Sequence, residues 1–317
     1  MLVSLEIMLM SEPLVSVVIP LFNKEDYIET TLNSVANQSY RNIELLIIDD
    51  SSTDSSVEKA SFHLVQFKER FKNITIESRK NTGQTGARND GIRLSKGEFV
   101  AFLDADDIWH PKKIELQVKF LENNPKTDLV FCNYIMVGAA KSSLRAVKLV
   151  PIAKKIESWL LTTGFGGLLE STGLFRREAL IQNGGFASNL QMCGGLDLAY
   201  RFSSKNLAGC VDEFLCAYRV TPTGWHNNKT DLVDSYHKLF QNEVLYGRFK
   251  DKATSNLRIH LGIWDLRNAT NFKALKSLAY IFIQSPIKFL QYVSLTANRL
   301  SLAKIRAMRL KKNSFSL

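Results

Sequence analysis

Three clusters of residues in this 317-residue chain have the types and spacing to do chemistry. The first is Asp104-Ala105-Asp106-Asp107, which follows the apolar run Phe99–Leu103. Carboxylates on alternate residues at a strand end offer hard oxygen ligands, suited to Mg²⁺ or Mn²⁺ that keep further positions for water and phosphate. A solvated acidic turn with an Asp helix cap would use the same letters. The strand before and the Pro111-led helix after favour the metal. The second is Asp49-Asp50-Ser51-Ser52-Thr53-Asp54, closing another apolar run. A carboxylate there can accept from a pyrimidine edge such as uracil N3–H, and Asp50 takes that part. Ser51 and Asp54 are left to cap the next helix. The third runs from Arg79 to Asn89 (RKNTGQTGARN). Glycines, cations such as Arg88 and a helix start suit a diphosphate. It is not a Walker loop, and no G-x-G-x-x-G follows a strand. His226, after Pro222-Thr223-Gly224-Trp225, reads equally as a metal or phosphate ligand or as a surface histidine.

The elements that must position these clusters alternate. Val15–Pro20, Ile43–Asp50, Ile74–Glu77, Phe99–Leu103 and Leu129–Asn133 read as short strands. Between them, Glu25–Gln38, Ser55–Phe71, Thr85–Ser95 and Lys112–Asn123 read as helices. That alternation predicts an α/β fold with a mostly parallel sheet flanked by helices. In such sheets ligands bind beyond the carboxyl ends of the strands, where Asn23–Glu25, Asp49–Asp50 and Asp104–Asp107 all fall. One site is implied. Beyond about residue 135 the rhythm loosens, with a helix near Asp197–Ser204 and a strand-like Phe214–Val220.

Composition limits the alternatives. The net charge is +10, yet no Asp or Glu follows Asp265, and that stretch carries ten Lys and Arg. The rest is balanced, so the charge is no sign of a nucleic-acid-binding domain. Four cysteines without a C-x-x-C pair read as reduced, buried side chains of a cytoplasmic protein. The apolar N-terminus contains Glu6 and lacks a basic lead, unlike a secretory signal. In the basic tail, Ile287, Leu290, Val293, Ala297 and Leu300 share a helical face opposite Lys288, Arg299 and Arg306. Such a helix either packs on the body or touches an anionic membrane peripherally.

In order, VSVVIPLFNKEDYI, ELLIIDDSSTD, NTGQTGARNDGI, GEFVAFLDADDIWHP, GLFRREAL, GGF and DEFLCAYRV resemble the family 2 inverting glycosyltransferases of GT-A fold, over about residues 14–220. The resemblance implies a Rossmann-like sheet with a nucleotide-sugar donor, UDP-linked, and Mn²⁺ or Mg²⁺. The backbone around Pro20 and Phe22, with Glu25 and Asp50, would hold the nucleoside. Asp106 would bind the metal, with Asp104 nearby. A glycan or glycolipid acceptor of cell-surface polysaccharide would attack the anomeric carbon.

One stretch departs from the family. Gly194-Gly195 stand where it usually carries Glu-Asp, the Asp being the general base, and Thr221 replaces the usual His. Glu170, just before FRREAL, is the preferred substitute base, ahead of Asp197. The alternatives are a degenerate nucleotide-sugar-binding protein and a sugar nucleotidyltransferase. The second is disfavoured because Leu21–Glu25 contains no glycine. The organisation expected is an extension over 1–13, a catalytic domain over 14–228 and a helical, basic region over 229–317.

Overall fold

The computed structural model describes residues 12–138, 144–149, 170–190, 194–203 and 208–222, with Gly224, Ser235 and Lys238. Residues 1–11, His226 and, but for Ser235 and Lys238, the basic C-terminal region lie outside the described residues.

Residues 12–123 build as the alternation predicts. β1 (Val15–Leu21), α1 (Ile28–Ala36), β2 (Ile43–Asp49), α2 (Ser56–Leu64), β3 (Asn73–Ser78), α3 (Gln84–Leu94), β4 (Phe99–Phe102) and α4 (Lys113–Asn123) follow one another. β1 and β2 are buried along their whole length, as strands covered on both faces must be. β3, β2, β1 and β4 pair in parallel, so their carboxyl ends share one edge. α3 packs on β1 and β2. Its Gly91 permits this approach: a Cβ there would fall 2.2 Å from Val18 Cγ1.

Beyond β4 the sheet becomes mixed. The short β5 (Ile108–Trp109), β6 (Leu129–Val137), β7 (Leu144–Val147), β8 (Leu174–Arg176) and β9 (Ala208–Arg219) extend it, with α5 (Arg177–Gln182) and α6 (Gly194–Ser203) beside them. The order is β3-β2-β1-β4-β8-β6-β9-β5, with β7 on β6. β8 enters antiparallel between β4 and β6, bringing the turn before it against the end of β4. A register shift in the β6–β9 pair at Cys132–Tyr134 bends the sheet at that point. Among the described residues no helix is long and apolar enough to cross a membrane.

Candidate active site

Three turns leave the parallel strands, and each holds a residue with left-handed backbone: Asn23 (φ 49°), Ser51 (φ 67°) and Gly83 (φ 83°). Two of these are not glycine, a strain that cross-links between the turns sustain. Asn23 Oδ1 accepts from the Thr53 backbone N–H at 2.8 Å, and the Asn23 N–H donates to Ser52 Oγ at 3.1 Å. Ser51, expected to cap α2, instead donates to the Arg79 carbonyl at 2.6 Å. Asp54 is not the cap either: the N-cap is Ser55, and Asp54, one residue earlier, accepts from the Ser56 N–H at 3.0 Å.

The turns enclose a cleft of about 530 Å³, the size of a small-ligand site. Pro20, Phe22, Lys24, Asp50, Asp104 and Asp106 line it, with Tyr218 and Gly224 opposite. Five of the residues named from sequence therefore converge there. Asp50 is buried, and its carboxylate accepts from the backbone N–H groups of Thr82 (3.0 Å) and Gly83 (2.8 Å). It thus holds the 79–83 loop against the cleft, with Arg79 Nη1 3.8 Å from its Oδ1. Glu25 does not line the cleft; it pairs with Lys59 at 3.4 Å in a more exposed position.

The Asp104–Asp107 turn gathers three carboxylates. Asp106 receives Lys24 Nζ at 2.7 Å and the Thr221 hydroxyl at 3.4 Å, and Arg219 donates to its carbonyl. Asp107 is fully buried, accepting from Ser171 Oγ at 2.6 Å and the Arg219 N–H at 3.2 Å. Burial first, then the charges of Asp104 and Asp106, pushes its carboxyl well above the usual range. Among the described residues no three His, Cys, Asp or Glu side chains converge as a closed metal site. The oxygen donors fit Mg²⁺ or Mn²⁺ nonetheless, since these ions bind through one or two carboxylates and complete their shell with water and phosphate.

Arg88, expected to meet phosphate, is buried away from the cleft surface. Its guanidinium bridges Asp104 at 2.5 Å and Glu170 at 3.2 Å. Both partners are carboxylates, which explains why a fully buried cation is tolerated.

Glu170 sits on a 3₁₀ turn (Glu170–Thr172), and the next three carbonyls are each held by a buried side chain. Trp109 Nε1 donates to the Ser171 carbonyl (2.7 Å), Gln117 Nε2 to Thr172 (2.9 Å) and Lys113 Nζ to Gly173 (3.4 Å). Ser171 Oγ also accepts from the Asp104 N–H at 3.1 Å. Sequence reading missed this brace; a lysine buried in a helix leaves no local signal. The Glu170 carboxylate lies against Gly195. A Cβ at Gly195 would come within 2.5 Å of the Glu170 carboxyl carbon, and the Gly195 backbone N–H donates to that carboxylate. Burial raises the Glu170 pKa; Arg88 opposes the rise and Asp104 adds to it. Asp197 is engaged elsewhere, paired with Arg201 one turn along α6 at 2.8 Å. Arg201 in turn donates to the Asn183 and Gly185 carbonyls, tying α6 to the end of α5.

The sequence model of glycosyl transferase family 2 matches residues 16–184, more than half of the chain. The chain belongs to glycosyl transferase family 2. Within that family it is 27% identical to UDP-Glc:alpha-D-GlcNAc-diphosphoundecaprenol beta-1,3-glucosyltransferase WfaP of Escherichia coli, over 79% of this chain and 87% of that one. It is 30% identical to an uncharacterized glycosyltransferase of Rickettsia bellii over 65% of this chain, but the match spans only 29% of that longer protein. A Haemophilus influenzae relative, 35% identical over 49% of this chain, is matched over 59% of its length. Among solved structures, the fold resembles the mannosyltransferase PcManGT of Pyrobaculum calidifontis, in complex with GDP-Man and Mn²⁺, at TM-score 0.59 and 20% identity. That likeness covers 94% of this chain and 88% of that one. S. aureus TarS 1-349 in complex with UDP-GlcNAc superposes at TM-score 0.60 and 19% identity, over 88% and 81% of the two chains. The family 2 chain thus has the GT-A-type α/β fold.

Proposed function

We propose that the protein transfers a sugar from a UDP-linked donor to a glycan or glycolipid acceptor in the assembly of a cell-surface polysaccharide. The observation that carries this reading is the convergence of Asp50, Asp104 and Asp106 on one cleft at the parallel strand ends. Asp50 accepts from the base, and Asp106, with Asp104 beside it, holds Mg²⁺ or Mn²⁺. When bound, the ion neutralises charge on the departing diphosphate. The WfaP relative uses UDP-Glc by its name, which supports the uridine donor.

Glu170 serves as the general base. It takes the proton from the acceptor hydroxyl as that oxygen bonds to the anomeric carbon and the nucleoside diphosphate leaves, inverting the centre. Its carboxyl fills the volume a side chain at Gly195 would enter, so the carboxylate has changed chain position while staying at one place in the fold. A raised pKa makes Glu170 a stronger base than an ordinary glutamate.

The absence of a carboxylate at Gly195 favours a second reading, a nucleotide-sugar-binding protein without turnover. Hydrolysis of a panel of UDP- and GDP-sugars, with Mn²⁺ and with EDTA, separates the two. The transferase reading expects Mn²⁺-dependent release of UDP from at least one donor. UDP binding without turnover of any donor supports the second reading, and failure to bind any nucleotide overturns both.

A further inference from the structure

We propose that Lys24 is a built-in counter-ion for the metal position, holding Asp106 in the empty cleft and making divalent-cation binding depend on the nucleotide. The proposal rests on the reading of Asp106 as metal ligand.

The Lys24 ammonium lies 2.7 Å from Asp106 Oδ2, and both side chains are largely withdrawn from solvent. The same two residues line the donor cleft. The main chain of Lys24 is fixed, its N–H donating to Ser56 Oγ at 2.7 Å and its carbonyl accepting from Tyr27 and Ile28. Any movement therefore falls to the side chain, a point charge on a flexible four-carbon stem.

A divalent cation reaching Asp106 meets a carboxylate that already has a cation against it. It must displace the ammonium from a poorly solvated pair, and in a cleft without nucleotide Lys24 gains no new anionic partner. A nucleoside diphosphate in the same cleft supplies one, because phosphate oxygens accept charge-assisted hydrogen bonds from an ammonium. Nucleotide and metal then assist each other, and by linkage the assistance is reciprocal.

The test is titration of Mn²⁺ into the full chain, following free Mn²⁺ by electron paramagnetic resonance, without nucleotide and with saturating UDP. Wild type, Lys24→Met, Lys24→Gln and Asp106→Asn are compared, with melting temperatures to confirm folding. The Lys24 variants should bind nucleotide-free Mn²⁺ ~10-fold more tightly and lose most of the enhancement by UDP, an effect within the usual range of site coupling. Folded Lys24 variants with wild-type Mn²⁺ affinity overturn the proposal, provided Asp106→Asn weakens binding. If Asp106→Asn binds Mn²⁺ and UDP as the wild type does, the metal assignment itself has failed, and this proposal with it.

Discussion

Two walls of the site, one lining the cleft and one behind it, are built differently. Pro20, Phe22, Asp50, Asp104 and Asp106 each come from the end of a parallel strand or the turn that leaves it. Their place follows from the βαβ repeat, and every one is close in sequence to the strand that positions it. The second wall lies behind the cleft lining, joined to it through the Arg88 bridge between Asp104 and Glu170, and draws on distant segments: Glu170 on a 3₁₀ turn, Gly195 in α6 and Thr221 after β9. There a side chain's location is set by packing across the fold, so a carboxylate can be supplied from another chain position if it fills the same volume. The first wall fixes residues; the second fixes a place.

The sharpest way to break this contrast is to move the carboxylate. Gly195→Asp alone should lower donor turnover by ~100-fold or more, since the new side chain enters the Glu170 carboxyl and sets two carboxylates together. It should also lower the melting temperature by several degrees. Adding Glu170→Gly to Gly195→Asp should recover much of the turnover, measured as UDP release. A faster Gly195→Asp single variant would show that position 195 was simply vacated.

The brace behind Glu170 gives a smaller effect. Gln117→Leu frees the Thr172 carbonyl and should reduce kcat ~10-fold, while calorimetry finds UDP affinity unchanged. Loss of UDP affinity to the same degree would make Gln117 a general structural residue. On the first wall, Asp50→Ala should weaken UDP ~10-fold through loss of base contact and release of the 79–83 loop. Equal GDP and UDP affinity in the wild type would count against Asp50 as base reader.

Asp107 offers the smallest change. Its folded pKa is raised, so the folded state prefers the protonated form. Its stabilising share is present below the unfolded value of about 3.9 and is lost as pH rises through the folded value. Asp107→Asn removes that dependence. Its melting temperature relative to wild type should therefore climb as pH rises above the unfolded value of about 3.9 in metal-free buffer. A falling difference would contradict the burial argument.

The same contrast decides what the sequence could tell. β1 to β4 and α1 to α4 were legible because parallel, two-sided burial produces continuous apolar runs such as Ile43–Ile48. β5 and β8, with two and three residues, are too short to carry a period. β9 begins at Ala208 rather than Phe214 because its first half is only partly buried and carries Asp212 and Glu213. Arg88 looked like a phosphate ligand because its loop has the composition for one. Its partner Glu170 lies 82 residues away, beyond any local pattern. The sequence marks Glu170 only as an acidic residue just before FRREAL, whereas its contact with Gly195 appears only once α6 is folded against the turn.

The central claim is that the second wall works through Glu170. Its most direct test is Mn²⁺-dependent release of UDP from the best donor by wild type and Glu170→Gln, with UDP affinity measured alongside. The account predicts a loss of ~10²–10⁴-fold in turnover with UDP affinity unchanged, the effect of removing a general base. Turnover by a folded Glu170→Gln within a few-fold of wild type would contradict it.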